Sequence, residues 1–360
     1  IYDFNIIFAI KQASSTMQRH IAPSATDPRI GPEPVGRTTT VAQQPDAAAA
    51  VIGGMDTPET RAGLADHTLS GTAVVTGSTR GVGRETALAL GRLGADVVVH
   101  GRDRDRGMAV RDELRDAVGV DAWFERADFA DPDAADALAD AVAAHTDDLT
   151  LLVNNAGGLF SGALARTGTT SAGIERTFAI NHLAPFALTH ALAPQLAAGD
   201  GGRVVTTASE AHRGGRMRFD AVRRADVRGF PAYNRSKLAN IMFTSALARR
   251  LDAAAVDVTA TTLHPGVIPG SGFMRELPRP LAALGRRVSA LPQVDSPADG
   301  AANVLVAALG ADVPSGAYIS DLAPTAPSEA ARDERVQERL WTTSEELTGR
   351  TWPPAGLTAE

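Results

Sequence analysis

The chain contains no cysteine among its 360 residues. That excludes disulfides, thiolate metal sites and a cysteine nucleophile, and it suits a reducing compartment, so a cytoplasmic location is expected. Lysine is almost as scarce, since Lys11 and Lys237 are the only two among 35 basic residues. A basic surplus is missing too: the formal net charge of -7 opposes the phosphate-tracking surface that nucleic-acid binding requires. No nucleic-acid partner is expected. Long apolar runs are also absent, the early one at residues 6–10 being too short to cross a bilayer and lacking the shape of a secretion signal. No transmembrane segment is expected.

What is present suffices for a core, because 44% hydrophobic content is ordinary for a globular chain. Residues 1–68 are rich in Pro, Thr, Ala and Gln without sustained periodicity, and are expected to form a disordered extension. Met55 marks the expected functional start, with residues 1–54 outside the working protein. From Gly71 onward short β-branched runs alternate with alanine-rich stretches of helical period. Strands are expected at 72–76, 96–100, 122–127, 149–154, 203–208, 258–263 and 317–320. Helices are expected between them, at 83–93, 105–118, 132–144, 174–197 and 233–251. Parallel neighbours need such crossovers, so residues 69–323 read as one doubly wound α/β domain, a Rossmann-type parallel sheet of about seven strands. Residues 324–360 read as a helical tail, with an amphipathic helix over 328–349 that docks on the domain or a partner and Trp341 packing. A ligand is expected at the carboxyl ends of the strands, where their order reverses.

The first strand runs into "TGSTRGVGRETALAL", with Gly77, Gly81 and Gly83 at the turn. Glycines there let backbone approach a pyrophosphate that the following helix N-terminus favours, although an ordinary strand-to-helix turn can look the same. At the end of the second strand, "VVVHGRDRDR" places His100 and Gly101 where NAD enzymes carry a carboxylate. Arg102 follows, and Arg80 stands inside the glycine loop, so two guanidiniums can reach a 2'-phosphate. NADP(H) is expected, with NAD(H) as the alternative.

Tyr233 and Lys237 lie four positions apart, on one face of a helix. An ammonium beside a phenol stabilises the phenolate and lowers its pKa, and lysine's compact charge suits that place better than arginine's fork. This accounts for one of two lysines standing here.

Together "TGSTRGVG", "NNAG" at 154–157, Asn181 in "INHLAPF", Ser209 and "YNRSK" resemble the short-chain dehydrogenase/reductase family across roughly residues 70–323. "ASEAH", "YNRSKLANIMFTSALARRL", "LHPG" and "LWTTSEELTG" resemble its retinol dehydrogenase-like branch. The resemblance implies that Ser209 bonds the substrate carbonyl, Tyr233 exchanges its proton, Lys237 binds the nicotinamide ribose and Asn181 holds a relay water. It also implies a cofactor site made by Gly77, Arg80, Gly81, Val82, Gly83, Arg102, Asp128, Phe129, Asn155, Gly157, Pro265, Gly266 and Ile268 together with Tyr233 and Lys237. Asp128 would face the adenine. A homo-oligomer is expected from the same resemblance.

Two departures stand out. The relatives place Thr or Ser after "HPG" where this chain has Gly270, with Ser271 one later. Protochlorophyllide reductases use a cysteine that is missing here, which disfavours that substrate. The expected activity is carbonyl–alcohol interconversion on a small lipophilic molecule; the alternative is a catalytically silent dinucleotide-binding scaffold or redox sensor. Arg213, Arg216, Arg218, Arg223, Arg224 and Arg228, with Arg275, Arg279, Arg286 and Arg287 in a second loop, read either as solvated loop charge or as a mouth that attracts anionic substrates. His182, His190, His212 and His264 match no metal-ligand spacing.

Overall fold

Strand residues alternate between two apolar layers, so the sheet is covered on both sides. Val74, Leu152 and Val204 face one layer, while Val75, Val153 and Val205 face the other. This computed structural model describes residues 57–160, 165–199, 201–268 and 295–357. The strands are β1 (Thr72–Val75), β2 (Asp96–Gly101), β3 (Ala122–Arg126), β4 (Leu149–Asn154), β5 (Gly202–Thr207), β6 (Val258–Leu263), β7 (Tyr318–Ser320) and β8 (Ala323–Pro324). They order as β3-β2-β1-β4-β5-β6-β7-β8, parallel throughout except for the last pair. The order reverses between β1 and β4, which opens a crevice at their carboxyl ends.

The helices are α1 (Pro58–Arg61), α2 (Gly81–Arg92), α3 (Arg104–Glu113), α4 (Ala134–His145), α5 (Arg176–Phe178), α6 (Ala184–Ala198), α7 (Gly229–Ala253), α8 (Pro297–Leu309) and α9 (Glu334–Thr348). Helices α2, α3 and α8 cover one face, and α4, α6 and α7 the other. Trp341 of α9 is 3% exposed and packs on Phe186 and Phe243. Trp352 meets it edge-on at 5.5 Å. The C-terminal segment thus shares the core of α6 and α7.

Three expectations change. An eighth, two-residue antiparallel strand closes the edge, where two exposed residues carry no hydrophobic pattern. Order starts before residue 69: Thr57 caps α1, Glu59 is buried, and Arg61 and Arg92 reach Asp299 and Glu59. The expected helix at 174–197 is interrupted by a π-helical turn at Ala179–Leu183, which carries Asn181. Residues 1–56, Gly270, Ser271, Arg275, Arg279, Arg286 and Arg287 lie outside the described residues. Among those described, no helix is long and apolar enough to cross a membrane.

Candidate active site

The crevice begins at the β1–α2 turn. Gly77 and Gly81 have φ of +67° and +58°, in the region that side-chain-bearing residues avoid. A Cβ on Gly83 would lie 2.4 Å from Asn155 Nδ2 and 2.5 Å from the Gly77 carbonyl, so glycine alone lets α2 dock on the loop. Asn155 closes the same contact by donating to the Thr76 carbonyl at 2.8 Å. Arg80 takes the cap position of α2 without a capping side chain, and the first turn holds no acid. That helix end keeps its positive potential for a phosphate, so the residues present fit a dinucleotide. Val82 sits half-buried behind the turn, against α8.

At the end of β2, His100 is buried, accepts from the Gly77 N–H at 3.2 Å and stacks on Phe129 at 4.6 Å. Burial pushes its pKa down to about 4, which leaves it neutral. Arg102 is exposed and lies 3.6 Å from Asp128, itself exposed at the end of β3. Asp103, the first carboxylate past β2, is engaged as the cap of α3 through Arg106 N. On the far side, Pro265, Gly266 and Ile268 follow β6, with Ile268 buried and the Gly266 turn closed against Asp295.

The chemical groups meet between β4, β5 and α7. Asn181 Oδ1 accepts from Gly158 N at 2.9 Å, while Nδ2 donates to the Gly158 carbonyl at 3.0 Å and Ser236 Oγ at 2.9 Å. Ser236 in turn donates to the Tyr233 carbonyl at 2.8 Å, so the π-turn and α7 are pinned together. Lys237 is buried and donates from Nζ to the Thr207 carbonyl at 2.8 Å; that ammonium lies 5.8 Å from the centre of the Tyr233 ring. Gly157 is exposed on this floor, and a Cβ there would come within 3.0 Å of Asn181 Oδ1 and 3.4 Å of Lys237 Nζ. The Tyr233 phenol lies near enough to the Ser209 side chain for that hydroxyl to pull its pKa down, and Ser209 Oγ accepts from Ala211 N at 3.2 Å.

One expectation about this pair is corrected. Burial holds the Tyr233 phenol above its ordinary value, opposed by the Ser209 hydrogen bond, so the net effect is not the lowering expected from Lys237. The ammonium is itself desolvated, its pKa pushed down to about 8, and its hydrogen bond runs to the Thr207 carbonyl.

A family model described as short chain dehydrogenase matches residues 71–280. The Dehydrogenase/reductase SDR family member 13 of Bos taurus is 36% identical over 284 residues, covering 77% of this chain and 73% of the relative. Retinol dehydrogenase 12 of Mus musculus is 36% identical over 291 residues, covering 78% and 86%. A solved short chain dehydrogenase from Burkholderia cenocepacia J2315 in complex with NADP aligns with a TM-score of 0.54 and 30% identity, over 69% of this chain and 94% of that one. The chain belongs to the short-chain dehydrogenase/reductase family. Within it, the retinol dehydrogenase-like branch is the one it matches.

This short-chain dehydrogenase/reductase is therefore an NAD(P)-dependent oxidoreductase of CH–OH donors. Of the six described arginines in the first loop, three have carboxylate partners close by: Arg213 pairs with Glu210, Arg218 with Asp220 and Arg224 with Asp226. The histidines fall in three places: His182 among Phe178, Phe186 and Phe243, His190 against Trp352, and His264, just past β6, in the neighbourhood of His212. Residues that the sequence reading missed include Thr207, whose carbonyl also takes Asn240 Nδ2 at 3.1 Å, and the buried pair Arg235–Glu175 at 2.9 Å. Asn240 could have been found seven positions beyond Tyr233 on the same helix face. Glu175 had no sequence signal.

Proposed function

We propose that this enzyme interconverts a carbonyl and an alcohol with NADP(H), using Tyr233 as the acid and base, on a small lipophilic molecule. The observation that carries the reading is the buried Lys237 ammonium 5.8 Å from the Tyr233 ring on α7, at the end of β5 where Ser209 opens the next turn. Ser209 Oγ and Tyr233 Oη converge on one carbonyl oxygen; in reduction the phenol gives its proton to that oxygen, and in oxidation it takes the proton back. A phenol held protonated by burial suits the reductive direction. Lys237 supplies the positive charge that stabilises the phenolate formed at that moment. The Asn181 amide is committed to Gly158 and Ser236, so a relay water at this residue would have to bind its main chain.

The dinucleotide would be held by Gly77, Arg80, Gly81, Val82 and Gly83 at its phosphates, by Arg102, Asp128 and Phe129 near the adenosine, and by Asn155, Gly157, Pro265, Gly266, Ile268, Tyr233 and Lys237 toward the nicotinamide. When bound, it supplies or takes up the hydride. The preference for NADP(H) rests on three features: no carboxylate ends β2, Asp103 is occupied as a helix cap, and Arg102 and Arg80 flank the crevice. The name of Retinol dehydrogenase 12 supports a lipophilic substrate. A cytoplasmic, self-associating enzyme completes the reading.

The test is oxidation of NADPH and of NADH across a panel of aldehydes and ketones, with Tyr233→Phe as the control. Turnover with NADPH, lowered about 100-fold or more in the variant while NADPH binding persists, supports the reading. Equal inertness of both proteins toward every carbonyl, with NADPH still bound, would sink it.

A further inference from the structure

Ser209 opens a tight turn, Glu210–Gly214, and one imidazole ties that turn to the C-terminal segment. His212 is fully buried; its Nδ1 lies 2.7 Å from the Ser209 carbonyl, and its Nε2 lies 3.0 Å from the Ser328 nitrogen. A backbone N–H can only donate, so Nε2 is the bare acceptor and Nδ1 carries the hydrogen. That hydrogen goes to the Ser209 carbonyl. The partners on both sides thus choose one tautomer of a neutral ring. Burial also moves the ring's pKa below its ordinary value, against the opposing pull of the Ser209 bond and the Glu210 charge.

The turn is braced from β7 and from the same distant stretch. Tyr318 stands edge-on to His212 at 5.2 Å and donates its hydroxyl to Glu210 Oε1 at 2.8 Å. Arg213 holds Glu210 Oε2 at 2.6 Å and the Ala326 carbonyl at 3.3 Å. Glu210 and Arg213 are thereby restrained, while the Ser209 carbonyl is held by His212 twice, by its ring at 2.7 Å and by its backbone N–H at 3.0 Å. Ser209's hydroxyl accepts from Ala211 N and, in the reading above, also faces the substrate oxygen with Tyr233, so a small rotation of its peptide moves the group out of line.

We propose that His212 is a positioning residue: its Nδ1–H bond to the Ser209 carbonyl sets the aim of the Ser209 hydroxyl, and the Ser328 N–H sets His212. This rests on the reading of Ser209 and Tyr233 given above. The C-terminal segment is then part of the machinery that orients a carbonyl, although it lies far from Ser209 in the chain.

Asparagine places its amide nitrogen near the position of Nδ1, whereas glutamine places its amide near Nε2. His212→Asn therefore keeps the bond to Ser209, and His212→Gln keeps the bond to Ser328. Kinetics are read with NADPH and the panel carbonyl that wild type turns over fastest. His212→Asn should stay within about threefold of wild-type kcat, while His212→Gln and His212→Phe lose about 10–100-fold, all with unchanged KM for NADPH. Ser328→Pro deletes one N–H at a residue whose φ of -61° already suits proline. It should lower kcat about threefold or more without weakening NADPH binding.

The idea is overturned if Asn and Gln variants have equal kcat, if Gln retains activity and Asn loses it, or if losses follow melting temperature and NADPH affinity alike. Should His212→Phe fail to fold, the Asn and Gln pair decides. Ser209→Ala and Tyr233→Phe run alongside: if they turn over like wild type, the underlying reading falls, whereas their inactivity beside fully active His212 variants removes only the positioning role.

Discussion

Replacing Lys237 by methionine should make the cofactor-free protein more stable while silencing it. The ammonium is buried, and desolvation lowers its pKa from 10.5 to about 8. At roughly 1.4 kcal/mol per pH unit, holding the charged form in this site costs about 3 kcal/mol relative to the unfolded chain. Methionine fills a similar volume without a charge but gives up the bond to the Thr207 carbonyl, worth about 1 kcal/mol; Asn240 still serves that carbonyl. The net gain is about 2 kcal/mol at pH 7. The pH dependence has a definite sign. Below about pH 8 both states carry the proton and the cost is complete. Between about 8 and 10.5 the folded state has shed its proton while the unfolded chain still holds one, so wild-type stability rises with pH and the variant's advantage fades. Urea unfolding followed by tryptophan fluorescence at pH 7 and pH 10 measures both ends. Turnover should fall about 100-fold. A variant less stable than wild type at pH 7, by an amount that does not change with pH, would refute the reasoning.

Two other substitutions probe the frame of the site. Arg235→Met leaves the fully buried Glu175 carboxylate with only the N–H groups of Thr177 and Phe178, and should destabilise by about 3–5 kcal/mol in thermal melts. Because that pair joins α5 to the helix of Tyr233, a melting point equal to wild type would show that the helices need no such clamp. Gly83→Ala drives a methyl group into Asn155 Nδ2 and the Gly77 carbonyl, and is expected to cost about 1–3 kcal/mol while weakening NADPH binding. Calorimetry and a fluorescence titration read the two effects, and unchanged affinity would mean that the turn does not cradle the phosphates.

The strands were legible because parallel strands buried on both faces need continuous apolar runs, as in "TAVVT" and "DVVVH". Helix α8 is hard to see in the sequence although Ser296 and Asp299 form a capping box, since small residues blur its period. Pro and Thr at 57–60 likewise read as irregular chain, when Thr57 is a helix cap and Pro58 a favourable first residue. Spacing alone paired Tyr233 with Lys237, but it says nothing of how much water each side chain loses. That is why spacing points the phenol's pKa down where burial holds it up. Contacts between distant segments, such as His212 with Ser328 or Arg235 with Glu175, follow from topology and leave no periodic trace.

The two tryptophans of the C-terminal segment also set an order of events during synthesis. Domains mature from the N-terminus as the ribosome delivers them. Here Phe186 and Phe243 emerge long before Trp341, the ring that covers them. A nascent chain stopped at β7 therefore presents a bare aromatic face on the very helix that bears Tyr233. The burial of Phe186 and Phe243 is therefore completed only after translation has passed Trp341.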